Sequence, residues 1–137
     1  MLTKEEQEIY DKYILKAMDI VIRNWAIKLK YFRVKNAKRA TFFDGIKEDL
    51  ATYKGKGSYS SADIDLYFQY PRMTVRIEDG TLASVSFKWK DEKTIEAYST
   101  QTFNGGKWLL EAMLDEFEEY LQLIWKGYKK GNLIRWH

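Results

Sequence analysis

The spacing of apolar residues changes twice along this chain, and that change most constrains its fold. Apolar residues first recur every three or four positions, as on one face of an α-helix: Ile14, Met18, Val21, Trp25, Leu29 and Phe32. Between residues 63 and 103 they alternate with polar residues, as in strands. Helical spacing returns from Leu110 to Tyr128. We therefore predict an α+β fold, with long N- and C-terminal helices packed on one face of a three- to four-stranded antiparallel β-meander.

The start of the first helix is marked by a capping box. Thr3 and Glu6 have the spacing at which each side chain can bond the other's backbone N–H, which predicts a helix from about Lys4 to Phe32. Because residues 27–34 also alternate in part, a break near Asn24 followed by a strand is the alternative. We favour the helix. A second, shorter helix is predicted from Thr41 to Tyr53.

Turn residues divide the middle of the chain. The Gly-, Ser- and Lys-rich run 54–61 predicts a flexible loop, and it lacks both the spacing and the strand-to-helix position of a phosphate-binding loop. Strands are predicted over residues 63–70, 73–77, 82–89 and 94–103, with a tight Asp79-Gly80 turn joining the second and third. Three or four antiparallel strands in chain order follow from this pattern.

Composition sets the class of protein. A chain of 137 residues, 45% of them hydrophobic, is predicted to form one domain over residues 1–137. The chain has no apolar run long enough for a membrane span, and its first residues are acidic where those of a secretory signal are basic. It also contains no cysteine, which is typical of a reducing compartment. We therefore expect a cytoplasmic protein. The apolar surface of the last helix is widened by Leu109, Met113, Tyr120 and Trp125, which favours a homodimer.

Few residues are available for catalysis. The single histidine is the terminal His137, and cysteine is absent, so we predict no catalytic residue, no metal ligand and no cofactor. Asp63 and Asp65 would lie about 7 Å apart on one strand face, and with Glu78 they form the weaker hypothesis of a carboxylate-metal enzyme. Asp79 followed by Asp91-Glu92-Lys93 is similar to the acid and lysine spacing of metal-dependent nucleases, but both pieces fall in predicted turns.

A basic segment interleaved with aromatic residues is the strongest candidate for binding. Six lysines and arginines and no acid lie between Trp25 and Ala40. Arg72 and Arg76, on one face of a strand, could extend this positive surface, and aromatic rings could stack on bases. The predicted binding residues are Lys28, Lys30, Tyr31, Arg33, Lys35, Lys38, Arg39, Arg72 and Arg76. A solvated helix end, where basic residues offset the helix dipole, explains residues 28–39 equally well.

These observations favour a non-enzymatic binding or regulatory protein that associates with a macromolecular partner, most simply another protein. A small inhibitor of the kind carried by mobile elements is one example. The alternative is nucleic-acid or nucleotide binding through Lys28 to Arg39, and the second alternative is a carboxylate-metal-dependent nuclease. The preference rests on the missing catalytic groups and on the surplus of aromatic and basic residues.

Overall fold

A computed structural model describes residues 3–32, 38–39, 53–55, 58–66, 70–77 and 80–135. In this part of the chain the structure has two helices and seven strands. In chain order they are α1 (Lys4–Phe32), β1 (Lys38–Arg39), β2 (Tyr53–Gly55), β3 (Ser58–Asp65), β4 (Arg72–Arg76), β5 (Leu82–Trp89), β6 (Ile95–Phe103), α2 (Lys107–Ile124) and β7 (Leu133–Ile134).

The strands hydrogen-bond to one another in chain order. Strands β3 to β7 form a five-stranded mixed sheet, and the short β1 and β2 continue it beyond β3. The α+β class is confirmed, but a purely antiparallel sheet of three or four strands is wrong. The chain returns after α2 and places Leu133 and Ile134 beside Ile95 and Glu96 in the parallel direction. Two parallel neighbours need a long crossover connection, and α2 supplies it.

The first helix confirms the capping box and its length. The backbone N–H of Thr3 donates to Glu6 Oε1 and that of Glu6 donates to Thr3 Oγ1, each at 3.1 Å. The helix then continues to Phe32 without a break, so the strand alternative from residue 27 is wrong for the residues described. Its apolar stripe is buried through Leu29, which explains why the helix does not stop near Asn24.

Of the two predictions between the first helix and the sheet, the loop is wrong, and the short helix lies outside the described residues except for its last residue. Tyr53, the predicted end of the second helix, lies in β2, while residues 41–52 lie outside the described residues. The predicted loop 54–61 instead belongs to a hairpin, in which Tyr53–Gly55 pairs with Ser58–Ser60. Backbone pairing overrides the Gly and Ser signal here, because β3 packs against α1 and Ser60 is fully buried.

The central strands form where the sequence predicts them, but only β4 alternates in burial; β5 is buried from Leu82 to Phe87, and β6 is exposed from Tyr98 to Phe103. β4, β5 and β6 lie within a residue or two of their predicted bounds. The turn between β4 and β5 places Gly80 at a φ of 95°, a conformation that favours glycine. The last helix, by contrast, ends at Ile124 rather than Tyr128 and is not the C-terminal element, because β7 follows it.

Both helices cover the same face of the sheet. α1 packs on β3 and β4, α2 packs on β5 and β6, and the two helices contact each other. Phe87 of β5 stacks on Phe117 of α2 with ring centroids 3.8 Å apart. Neither described helix contains an apolar stretch of the length and hydrophobicity that a membrane span requires.

The residues that motivated a homodimer are buried in the core of this chain or partly buried against it. Leu109 and Met113 are fully buried. The Tyr120 hydroxyl accepts a hydrogen bond from Asn24 on α1, and Trp125 contacts a cluster of aromatic rings. The homodimer therefore stays a prediction, without the exposed surface from which it was inferred.

Candidate functional site

Neither described helix covers the second face of the sheet, which we call the uncovered face, and the described side chains at its centre are polar. Strand register places Arg72, Ser86 and Ser99 side by side across β4, β5 and β6. The next row contains Thr74 and Ser84, whose hydroxyl oxygens lie 2.8 Å apart in a hydrogen bond. Because side chains alternate along each strand, these residues all lie opposite the apolar core.

A cleft of about 550 Å³ opens on this polar face. The described residues of its lining contribute hydroxyl, amide and aromatic side chains around one cation: Tyr70, Arg72, Ser86, Tyr98, Ser99, Thr100 and Gln101. We refer to it as the Arg72 cleft.

The position of the Arg72 guanidinium is fixed by neutral acceptors. Its Nη1 donates to the Ser99 carbonyl oxygen at 3.2 Å and, at 3.5 Å, to Ser86 Oγ. Among the described residues, no carboxylate forms an ion pair with this side chain, and its Nε and Nη2 have no hydrogen-bond acceptor. Partial burial lowers the pKa of Arg72, but an arginine stays protonated at neutral pH. The cleft thus holds a half-buried positive charge whose remaining donors can bind a ligand.

A β-bulge in β6 positions Tyr98, which forms one wall of the cleft. Ser86 pairs with Ser99 and Phe87 pairs with Ala97, so Tyr98 is the extra residue of β6. Bulges redirect side chains in this way. The Tyr98 ring meets Tyr70 edge to face with centroids 5.0 Å apart, and Lys88 Nζ lies 4.6 Å from its centroid on another side.

Hydrogen bonds hold the rest of the wall in place. Ser86 Oγ donates to the Tyr70 carbonyl oxygen at 3.3 Å. Lys88 Nζ is paired with Glu96 at 3.1 Å, and this contact raises the pKa of Lys88. Lys88 is thus paired with Glu96, whereas Arg72 forms no ion pair among the described residues, although Asp65 is its cross-strand neighbour on β3.

Three of the predicted binding residues, Lys28, Arg72 and Arg76, have described side chains, and the structure brings only the two arginines together. Arg72 and Arg76 share the uncovered face of β4, as predicted. Lys28 lies in the helical layer, where its Nζ is 2.7 Å from Glu116 of α2 and 4.3 Å from the Trp25 ring centroid. Lys28 therefore joins the two helices, on the other side of the sheet from Arg72.

The remaining members of the basic segment cannot be placed in a site. Lys30 and Tyr31 belong to α1 and Lys38 and Arg39 to β1, but their side chains lie outside the described part of the structure. Arg33 and Lys35 lie outside the described residues altogether. Binding through residues 28–39 stays a prediction.

Asp63 and Asp65, which were considered for metal binding, lie on the same face of the sheet as Arg72, because Asp63 pairs with Thr74 and Asp65 pairs with Arg72 in the register of β3 and β4. Partial desolvation and repulsion from Asp65 raise the pKa of Asp63, while the Arg76 guanidinium opposes both effects. Asp91 accepts the backbone N–H groups of Lys93 and Thr94, each at 2.9 Å, and so closes the turn between β5 and β6. The hydrogen bond from the Lys93 backbone N–H is the main reason why the pKa of Asp91 is lowered.

Within the described part of the chain, no three His, Cys, Asp or Glu side chains group closely enough to hold a metal ion. Glu78, Asp79 and His137 lie outside that part. The turn position of Asp91 also differs from the central-strand position that the nuclease pattern needs.

Sequence reasoning missed Tyr70, Ser86, Tyr98 and Ser99. Serine on the polar face of a strand is ordinary, and the pairing of Tyr98 depends on a bulge that alternation alone does not reveal. The one available signal was Arg72, which directly follows Pro71 at the start of a strand.

No protein-family model matches this chain, and neither a curated protein nor a solved structure matches it.

Proposed function

We propose that this protein is a non-enzymatic binding protein that associates with a macromolecular partner and receives an anionic group of that partner in the Arg72 cleft. The observation that carries the proposal is the Arg72 guanidinium, half-buried and hydrogen-bonded only to neutral oxygens among the described residues. An anion that enters this site is attracted more strongly than it would be at the protein surface, because few water molecules remain to solvate and screen the two charges.

The charge in the cleft favours a carboxylate over a nucleic-acid backbone. Arg72 is the only cation among the described residues that line the cleft, and the neighbouring Lys88 is paired with Glu96. One guanidinium matches one carboxylate through two parallel hydrogen bonds. Nucleic-acid binding instead needs several cations along a track of phosphates. A protein partner is therefore the better candidate, and the lack of cysteine in the chain supports a reducing compartment such as the cytoplasm.

Site-specific photo-crosslinking tests this proposal. A photoreactive residue replaces Gln101, which is exposed and lines the cleft. A control replaces Lys12, which is exposed on α1 in the opposite layer. Both proteins are irradiated in the cells that produce them, and mass spectrometry then identifies the adduct.

We expect a protein adduct at position 101 that disappears when Arg72→Gln is added and that has no equivalent at position 12. An adduct that survives Arg72→Gln, equal adducts at both positions, or none at position 101 would overturn the proposal. An adduct with nucleic acid that depends on Arg72 would replace the protein partner with the nucleic-acid alternative.

A further inference from the structure

One rim of the Arg72 cleft is the outer edge of β6. β7 pairs only with Ile95 and Glu96, the first residues of that strand. Beyond them, residues 98–103 have no strand on their outer side within the described part of the chain. Every one of these residues is exposed, including Tyr98 at 47% and Phe103 at 55%.

Edge strands are normally protected from pairing with another chain by charged residues, proline or a β-bulge. This edge has the bulge at Tyr98, at its start, but lacks charged residues and proline. The segment 98–103 reads Tyr-Ser-Thr-Gln-Thr-Phe and contains neither. Its β-branched and aromatic residues also favour the extended conformation. An edge of this composition can accept a further strand.

We propose that the partner presents an extended peptide segment containing an acidic residue, which adds as a strand to β6 at residues 98–103 and places its carboxylate on Arg72. This inference rests on the proposed function and specifies the partner. Backbone hydrogen bonds to the strand edge supply affinity, and the charge pairing selects the sequence and fixes the register.

The spacing of a sheet makes the two contacts compatible. Arg72 begins on β4 and reaches across β5, so that its Nη1 lies 3.2 Å from the carbonyl oxygen of Ser99 on β6. A strand added to β6 lies about 4.8 Å further out. An aspartate or glutamate on the uncovered face of that strand, beside Ser99, spans this distance. Nη2 and Nε then bind its two oxygens as a bidentate pair.

A nucleic acid fits this arrangement less well. It has no backbone amide groups to continue the sheet, and the lining residues that the structure describes offer it a single cation. A polypeptide uses both the free edge and the guanidinium, which is why the observations favour an acidic peptide.

Short labelled peptides test the inference. The first alternates valine and threonine around a central glutamate and is long enough to pair with residues 98–103. The second replaces glutamate with glutamine, and the third keeps glutamate but carries N-methyl groups on alternate backbone nitrogens, which block sheet pairing. Fluorescence anisotropy measures their binding to the unmodified protein, to Arg72→Gln and to the charge-matched control Lys12→Gln. Amide hydrogen exchange follows residues 98–103.

We expect the glutamate peptide to bind at least about tenfold more tightly than the glutamine peptide, because even one charge-assisted hydrogen bond contributes that much. The difference should vanish in Arg72→Gln and persist in Lys12→Gln. The glutamate peptide should slow exchange within residues 98–103, and the N-methylated peptide should not bind. Arg72→Lys retains the charge without the bidentate geometry and should fall between, which keeps the test usable if Arg72→Gln is unstable.

Equal binding of the glutamate and glutamine peptides, or binding of neither, would overturn the inference. So would unimpaired binding of the N-methylated peptide or unchanged exchange in residues 98–103. In each of these cases an Arg72-dependent adduct at position 101 would still uphold the proposed function, so the two failures are distinguishable.

Discussion

Replacing Glu118 with glutamine should destabilise the protein, because its carboxylate fastens the C-terminal segment to α2. This side chain is 5% exposed. One oxygen accepts the Tyr128 hydroxyl at 2.9 Å and the Gly131 N–H at 2.8 Å, and the other accepts Arg135 Nη2 at 2.9 Å. These contacts hold the chain between the end of α2 and β7, and hence the parallel pairing of β7 with β6.

The magnitude follows from counting acceptors. Glutamine has one oxygen, which can serve Tyr128 and Gly131, and its NH2 group then faces the guanidinium of Arg135. A hydrogen bond to a charged group contributes about 1.5–3 kcal/mol, and breaking a buried ion pair costs about 3–5 kcal/mol. Arg135 keeps a second partner, Asp115, at 2.7 Å, which reduces the loss. We expect Glu118→Gln to lower the free energy of unfolding by about 2–4 kcal/mol.

The pH dependence gives an independent check. Burial acts to raise the pKa of Glu118, but the hydrogen bonds from Gly131, Arg135 and Tyr128 outweigh it and hold the pKa below the ordinary value of 4.5. A carboxyl with a lowered pKa in the folded state stabilises the protein above its unfolded-state pKa, and this stabilisation is lost as the pH falls through the folded-state pKa. The difference in free energy of unfolding between the unmodified protein and Glu118→Gln should thus be largest at pH 7 and shrink below about pH 4.5.

Urea unfolding at several pH values measures this effect, with Glu119→Gln as the matched control. Glu119 is the next residue of α2 and is exposed, so its replacement should change stability by less than about 0.5 kcal/mol. A loss below about 0.5 kcal/mol for Glu118→Gln at pH 7, or a loss that stays constant from pH 7 to pH 3, would refute the reasoning.

Two further substitutions test the packing, each by its shift in the midpoint of urea unfolding. Gly106→Ala should lower the free energy of unfolding by at least about 2 kcal/mol, because the new Cβ would lie 2.1 Å from the Leu82 carbonyl oxygen. This loss should exceed that of Gly105→Ala, whose Cβ would meet no atom within 4 Å and which bears only the strain of a φ of 74°. A larger loss of stability for Gly105→Ala would contradict this expectation. Phe117→Ala should lower the free energy of unfolding by about 3–5 kcal/mol, because it removes a fully buried ring. Leu123 lies on the same helix and is 73% exposed, so Leu123→Ala should change the stability little. Similar losses of stability for the two variants would argue against the core as described.

The sequence and the structure agree where interactions are local. The capping box of Thr3 and Glu6 sets the start of α1 within one helical turn, and the apolar stripe through Leu29 keeps the helix continuous. The bounds of β4 and β5 follow in the same way from alternation and from the glycine turn between them. Periodicity and turn chemistry act over a few residues, so the printed sequence is enough to predict these elements.

The errors arose where distant parts of the chain meet. Gly and Ser in residues 54–61 are typical of a loop. The described residues of this run nevertheless belong to β2 and β3, which pair with each other. Leu109 and Met113 looked like a surface for a second copy, but they lie in the core between the two layers. Burial and pairing of this kind depend on which segment lies opposite, and periodicity does not contain that information.

The sequence by itself determined the class of the fold, the bounds of its first helix and central strands, and the location of Arg72 and Arg76 on one strand face. Tertiary structure alone decided the parallel return of β7 beside Ile95 and Glu96, the division of Lys28 and Arg72 between opposite layers, and the cleft in which Arg72 meets neutral oxygens. These features join residues far apart in the chain, and their geometry is set by register, by the bulge at Tyr98 and by the crossover through α2.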